Sequence, residues 1–189
     1  MHLTLAGFAD PVADAQTAFR AVLSALSRPG SIHSVASGLT PPPPLNQAAA
    51  AVLLALVDGD TSLFSSFPTA QGWVRFHCGI NPLDDPAAAG FVLADALPDL
   101  ATLQNGSDEA PEDAATVILQ LPSLTDGPTR ILQGPGLQAT ATIRAAGLPV
   151  DFVERWAANH ALFPRGIDLI LCAGDQLLAL PRSVTVKGG

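Results

Sequence analysis

Apolar positions set out most of the elements of this chain. After Asp10 and Pro11, the residues Val12, Ala15, Phe19, Val22, Leu23 and Leu26 recur at helical spacing. Asp10 suits the N-cap and Pro11 the first helical position, and Pro29-Gly30 ends the helix. Ile32 to Val35 alternates as a strand does. Pro41 to Pro44 reads as a stiff extended connector. Asn46 then caps a second helix, Gln47 to Val57, which is apolar all round and so predicted to be buried. Leu63–Phe67, Trp73–Cys78 and Phe91–Ala94 read as strands; in the second, Trp73, Arg75 and His77 alternate with Val74, Phe76 and Cys78. Leu97 to Leu103 reads as a short helix.

The second half is richer in strands. Ala115 to Leu121 is a continuous apolar run with β-branched residues, the pattern of a central strand buried on both faces. Thr129–Gln133 and Gln138–Ile143 flank Gly134-Pro135-Gly136 and predict a hairpin with a wide turn. Asp151 followed by Glu154 resembles a capping box at the start of a helix with Phe152, Val153 and Trp156 on its apolar face. Ile167–Cys172 and Gln176–Leu180 form a hairpin across Ala173-Gly174-Asp175. Pro181-Arg182 then breaks the chain before a last strand, Val184–Val186. Helices mixed with buried and hairpin strands predict one α/β domain over residues 1–189, a three-layer α/β/α sandwich around a mixed sheet.

Composition narrows the chemistry. A net charge of −8 and eight scattered arginines argue against nucleic acid and anionic membrane as partners. Only 14% of residues are charged against 48% hydrophobic. Either apolar patches remain for protein partners or abundant alanine inflates the count. The first ten residues lack the pattern of a signal peptide, and the longest apolar stretch, Ala48–Val57, is too short to span a bilayer. The expected location is cytoplasmic. Cys78 and Cys172 show no redox or zinc spacing and read as buried free thiols. The one lysine, Lys187, stands two residues from the end of the sequence, badly placed for a Schiff base or a phosphate clamp.

Neither nucleotide-binding glycine fingerprint is present, nor a nucleophile elbow, nor His-Glu-x-x-His. Gly134-Pro135-Gly136 is a turn, too short to cradle phosphate. His2, His33, His77 and His160 lie far apart in sequence and suggest no metal site. Three positions carry candidate chemistry. Asp168 opens an apolar strand, where a carboxylate must be paired or hydrogen-bonded. Arg182 follows a strand end, a usual place for ligands in α/β folds, and suits phosphate or phosphonate; it also suits pairing with Asp168. Arg75 and His77 share a strand face and either line a cleft with Arg182 or face solvent.

Several segments together resemble a known family. They are Gln16-x-x-Phe19-Arg20, Ser27-Arg28-Pro29-Gly30, Val52 to Thr61, Arg75-Phe76-His77, Ala115 to Leu119 and Leu132-x-Gly134-x-Gly136. The densest are Phe163-Pro164-x-Gly166-Ile167-Asp168-Leu169-Ile170-Leu171 and Leu178-Ala179-Leu180-Pro181-Arg182. In order and spacing these are similar to the H subunit of the bacterial carbon–phosphorus lyase system for phosphonate breakdown. Arg165, where an aliphatic residue is expected, and the four prolines depart from that pattern. The resemblance implies a fold related to pyridoxal-phosphate-dependent transferases that has lost the cofactor site, with no cofactor and no metal. It implies an assembly subunit, not catalytic alone, that forms a homodimer when isolated. Its partners would be the G, I and J subunits, J most directly, in a complex that makes ribose 1-methylphosphonate 5-triphosphate from ATP and phosphonate. A ligand site at Arg182, with Arg75 or His77, is the alternative role.

Overall fold

The computed structural model describes residues 6–35 and 38–189; His2, and half of the first ten residues weighed as a signal peptide, lie outside them. The elements follow the order α1 (Pro11–Ser27), β1 (His33–Ser34), α2 (Gln47–Leu56), β2 (Leu63–Ser65), α3 (Gln71–Cys78), β3 (Phe91–Ala94), β4 (Thr116–Gln120), β5 (Arg130–Gln133), β6 (Ala141–Ile143), α4 (Phe152–His160), β7 (Asp168–Ala173), β8 (Gln176–Leu180) and β9 (Thr185–Gly188). Six strands form one mixed sheet in the order β1-β8-β7-β4-β3-β2. Strands β2, β3, β4 and β7 run parallel, and β8 turns back antiparallel to β7. Strands β6, β5 and β9 make a second, antiparallel sheet.

The side-chain alternation of the main sheet splits the core in two. Leu63, Leu93, Ile118, Ile170 and Ala179 point to one face and pack with α1, α2 and α3. Val92, Val117, Leu119, Leu169, Leu171, Leu178 and Leu180 point to the other and pack with Phe152 and Trp156 of α4 and with Leu132, Ile143 and Val186 of the small sheet. The architecture is α/β around a mixed sheet, and β4 is buried on both faces as its apolar run predicts. The second outer layer is not a layer of helices, however: one helix and a three-stranded sheet share it.

Five local expectations are corrected. Trp73–Cys78 is helical, not a strand. Trp73 and Val74 are neighbours and both are buried, which an alternating strand does not allow but a helix face does. Gly79 closes α3 in the left-handed region, φ 71°, with its N–H on the Arg75 carbonyl at 3.2 Å. On α1 the inward stripe is Ala18, Ala21, Val22 and Ala25, while Val12, Phe19 and Leu23 are 68%, 49% and 55% exposed. Small side chains let the helix approach its neighbours closely, and the large ones turn outward. The proline connector is bent, with the Leu45 N–H donating to the Pro42 carbonyl at 3.0 Å. Leu97–Leu103 reduces to a single 3-10 turn, Leu100–Thr102, capped by Asp99. Asp151 precedes α4 without a side-chain capping bond.

Both thiols are free and buried. Burial, helped by Asp58, pushes Cys78 up to about 11 from its ordinary 9.0, and burial pushes Cys172 further in the same direction. The unfolded chain therefore ionises its thiols first. The stability this contributes is present in full below pH 9 and is lost as pH rises from 9 through about 11. With no tyrosine and one lysine, few other side chains titrate there. Urea midpoints measured in reductant are expected to fall across this window, and to fall less in the Cys78→Ala, Cys172→Ala double variant.

Gly79→Ala is expected to cost about 1 kcal/mol, since open space surrounds the new Cβ and only the backbone conformation opposes it. A stabilising effect in urea unfolding would contradict the left-handed cap.

Candidate functional site: a clasp at the amino edge of the sheet and the hollow beside it

Strand β8 runs against β7, so its end, Leu180 to Arg182, returns to where β7 and β4 begin. There Asp168 and Arg182 meet. Arg182 Nε lies 3.2 Å from both carboxylate oxygens, and Nη2 lies 2.6 Å from Oδ2. The Arg182 main-chain N–H also donates to Oδ1 at 2.7 Å, and Nη1 donates to the Pro111 carbonyl at 2.6 Å. The two side chains are 20% and 14% exposed. All three guanidinium nitrogens are thus engaged within the chain, and the clasp ties β7, the end of β8 and the approach to β4 together.

Helix α4 holds both strands of this clasp in place. Asn159, buried, works in two directions on one residue: its Nδ2 donates to the Ile167 carbonyl at 2.9 Å and its Oδ1 accepts the Ile167 N–H at 2.7 Å. Gly166 must pass close by, with φ 110°; a Cβ there would stand 2.9 Å from the Asn159 carbonyl oxygen. Next to it, His160 Nδ1 lies 2.9 Å from the Arg182 carbonyl, and one turn back Trp156 Nε1 donates to the Val184 carbonyl at 2.7 Å. The segment from Phe163 to Asp168 and the turn from Pro181 to Val184, distant from α4 in different degrees along the chain, are both fastened to this helix.

Arg182 lies at the carboxyl end of β8 but at the amino end of the parallel strands. Ligands of open α/β sheets generally sit at the opposite edge, beyond the carboxyl ends of parallel strands. Beyond β4 and β7 that edge is closed by an amide pair. Gln120 Oε1 accepts the Asn46 N–H at 2.6 Å, Gln120 Nε2 donates to the Pro44 carbonyl at 3.2 Å, and Asn46 Nδ2 donates to the Cys172 carbonyl at 3.1 Å. Asn46 Oδ1 meanwhile caps α2 through the Ala49 N–H at 2.8 Å. Arg75 and His77 stand on α3. His77 lines a hollow with Gly7, Phe8, Pro11 and Leu54, and packs against Trp73 at 4.7 Å between ring centroids. Neither Arg182 nor Asp168 lines that hollow. Lys187 is exposed on β9, opposite Ile131.

A second hollow, of about 300 Å3, adjoins the clasp through Asn159. Asp99, Leu100, Ala101, Asn105, Arg155 and Leu162 are among its walls. Asn159, Asn105, Gln120 and Arg155 were not legible as functional or organising residues: each is a single polar side chain without a spaced companion. Gln120 alone carried a hint, as the one amide closing an apolar run. Among the described residues no group of three His, Cys, Asp or Glu side chains is arranged for a metal, and no helix is long and apolar enough to cross a membrane.

Asp168→Ala should strand a mostly buried guanidinium and cost roughly 2–4 kcal/mol. In a double-mutant cycle by urea unfolding, Arg182→Ala should add much less on top of it than it costs alone. Additive effects would show that the clasp is not a unit.

Comparison with known proteins places this geometry. The chain matches the family described as bacterial phosphonate metabolism protein (PhnH) over residues 6–187, which includes α1, the clasp and most of β9. It is 37% identical over 187 residues to the alpha-D-ribose 1-methylphosphonate 5-triphosphate synthase subunit PhnH of Rhizobium meliloti (strain 1021), covering 95% of this chain and 94% of that one. It is 34% identical over 176 residues to a putative C-P lyase subunit protein HtxG of Stutzerimonas stutzeri, covering 92% and 87%. The resemblance carried by Phe163 to Leu171 and Leu178 to Arg182 extends over nearly the whole chain, and the protein belongs to the PhnH family of bacterial phosphonate metabolism proteins.

Proposed function

We propose that this chain is an assembly subunit in organophosphonate catabolism. It works within a carbon–phosphorus lyase core complex that forms ribose 1-methylphosphonate 5-triphosphate, and it performs no step of that chemistry alone. The names of its relatives support the setting, since one is a subunit of such a synthase and the other a putative C-P lyase subunit. The observation that carries the assembly role is the outward face of α1. Val12, Phe19 and Leu23 are more than or about half exposed on the helix, and Phe19 and Leu23 border an open groove of about 510 Å3 with Ala15, Gln16, Arg20 and Ala55. Phe76 on α3 is a further large exposed residue of the same helical layer, 66% exposed. A stripe of large apolar side chains at helical spacing facing water is the pattern of a surface that is covered when a partner is present.

The partners in this reading are the G, I and J subunits, with J in direct contact, and a second copy of the chain when the others are missing. The alternative reading gives Arg182, with Arg75 and His77, a phosphonate or triphosphate to bind. The engagement of Arg182 by Asp168 and Pro111, and the placing of Arg75 and His77 on α3, weigh against that alternative.

Co-expression with tagged G, I and J subunits tests the proposal. Wild type should co-purify with them. The double variant Phe19→Asp, Leu23→Asp should keep its fold, because neither side chain belongs to the core, and should bind at least about tenfold more weakly. Undiminished co-purification of the variant would remove α1 from the interface. A wild-type chain that never co-purifies would refute the assembly role itself.

A further inference from the structure

Arg130 opens β5 with its side chain turned into the molecule, on the same strand face as the fully buried Leu132. The residue is 5% exposed. Its guanidinium rests over the ring of Phe152, the first residue of α4, with the central carbon 5.3 Å from the ring centroid. Nη1 donates to the Ala145 carbonyl at 3.3 Å. Among the described residues that is the one hydrogen bond of the side chain, and no carboxylate oxygen comes within 4.0 Å of it. Burial pushes its pKa down from the ordinary 12.5, but a guanidinium stays charged at neutral pH. A buried charge without a counter-charge is an arrangement that folded proteins avoid.

The clasp shows what fills such a place elsewhere in this chain. Arg182 gives Nη1 to the Pro111 carbonyl and turns its other edge, Nε and Nη2, to Asp168. Arg130 repeats the first half of that arrangement, Nη1 on a carbonyl, and leaves Nε and Nη2 without an acceptor. The open edge is not sealed from outside. Among the described residues the side-chain atoms both shut off from water and without a hydrogen bond are Trp73 Nε1, Asn105 Oδ1 and Arg165 Nε, so Nε and Nη2 of Arg130 remain within reach. Two parallel N–H donors on a flat guanidinium match the two oxygens of a carboxylate. The turn that carries Phe152 also carries Asp151 and Glu154, which oppose a second negative charge on the occupant and so disfavour phosphate or phosphonate. The geometry points to a receptor for a carboxylate brought from outside the chain and held by Nε and Nη2 of Arg130. The narrow opening admits a slim group, either a free small acid or an Asp or Glu side chain of a neighbouring chain. This site is separate from α1 and does not depend on the assembly role.

Acetate is the probe, with acetamide and methylphosphonate as controls, each titrated into the full chain at constant ionic strength and followed by NMR of the arginine Nε–H groups. Acetate should shift the Arg130 signal saturably and bind at least about tenfold more tightly than either control, the scale of a lost charge-assisted hydrogen bond. Arg182 is the internal reference: Asp168 already fills its edge, so its signal should stay in place. Arg130→Lys keeps the charge but loses the fork. Acetate should raise the urea midpoint of wild type and leave that of Arg130→Lys unchanged. A shift at Arg130 no larger than at Arg182, tighter binding of methylphosphonate, or equal stabilisation of the two chains by acetate would each overturn the assignment. Co-purification with the G, I and J subunits separates the two sources. Arg130→Lys should weaken it at least about tenfold where a neighbouring chain provides the carboxylate, and leave it unchanged where a free acid does.

Discussion

The pairing of β4 with β7 is the contact on which the rest of the molecule hangs. The two strands lie side by side over five residue pairs, Thr116 with Asp168 through Gln120 with Cys172, at the middle of the sheet. Their side chains feed both halves of the core at once, Ile118 and Ile170 toward the three-helix layer, Val117, Leu119, Leu169 and Leu171 toward α4 and the small sheet. Neither layer can settle without the other in register, because a slip of one residue would exchange the two faces. Polar side chains then lock the two ends of this pair. Asp168 and Arg182 fix the start, and Gln120 with Asn46 fixes the finish. Chain segments far apart in sequence, from Pro44 to Val184, are thereby fastened to one short parallel ladder.

Much of this arrangement is written in the apolar runs. Phe91–Ala94, Ala115–Leu121 and the Ile167–Leu180 hairpin are strands because a buried strand needs little beyond consecutive apolar, β-branched or leucine residues of the right length. The helix α3 shows where that reasoning fails. Its residues alternate in polarity by chance, and the competing signals, Pro68 before it and Gly79 after it, are punctuation whose meaning depends on what lies between. Burial of the adjacent pair Trp73 and Val74 decides the matter, and burial is a tertiary fact. On α1 a hydropathy pattern ranks Phe19 and Leu23 above Ala18 and Ala25 as core residues. Close packing against α2 and β8 reverses the order, because space there favours a methyl group.

The candidate site divides in the same way. Asp168 and Arg182 stand out in sequence because each is charged at the border of an apolar strand, and such a charge must find a partner. That the partner is the other of the two, and that Arg182 reaches the amino edge of the parallel strands, follows from the reversal of β8, which the hairpin signal contains. Asn105 and Asn159 leave no such trace. An asparagine in a polar loop or near a helix end is ordinary, and only the folded chain shows one of them spanning the main chain of Ile167 and the other tied to the carbonyls of Leu100 and Leu103.

Helix α1 joins the fold through methyl groups and keeps its bulk for the outside. Its own core gives it modest burial, so a partner that covered Phe19 and Leu23, as proposed, would supply a larger share of its stabilisation. Folding and association then draw on a common free energy: a partner that binds only the folded chain raises its stability in proportion to the logarithm of partner concentration over dissociation constant. Cells that make this subunit in excess of its companions would hold the surplus in its least stable form. The stoichiometry of the complex would in that way be maintained by the turnover of unpartnered chains, without any dedicated regulator.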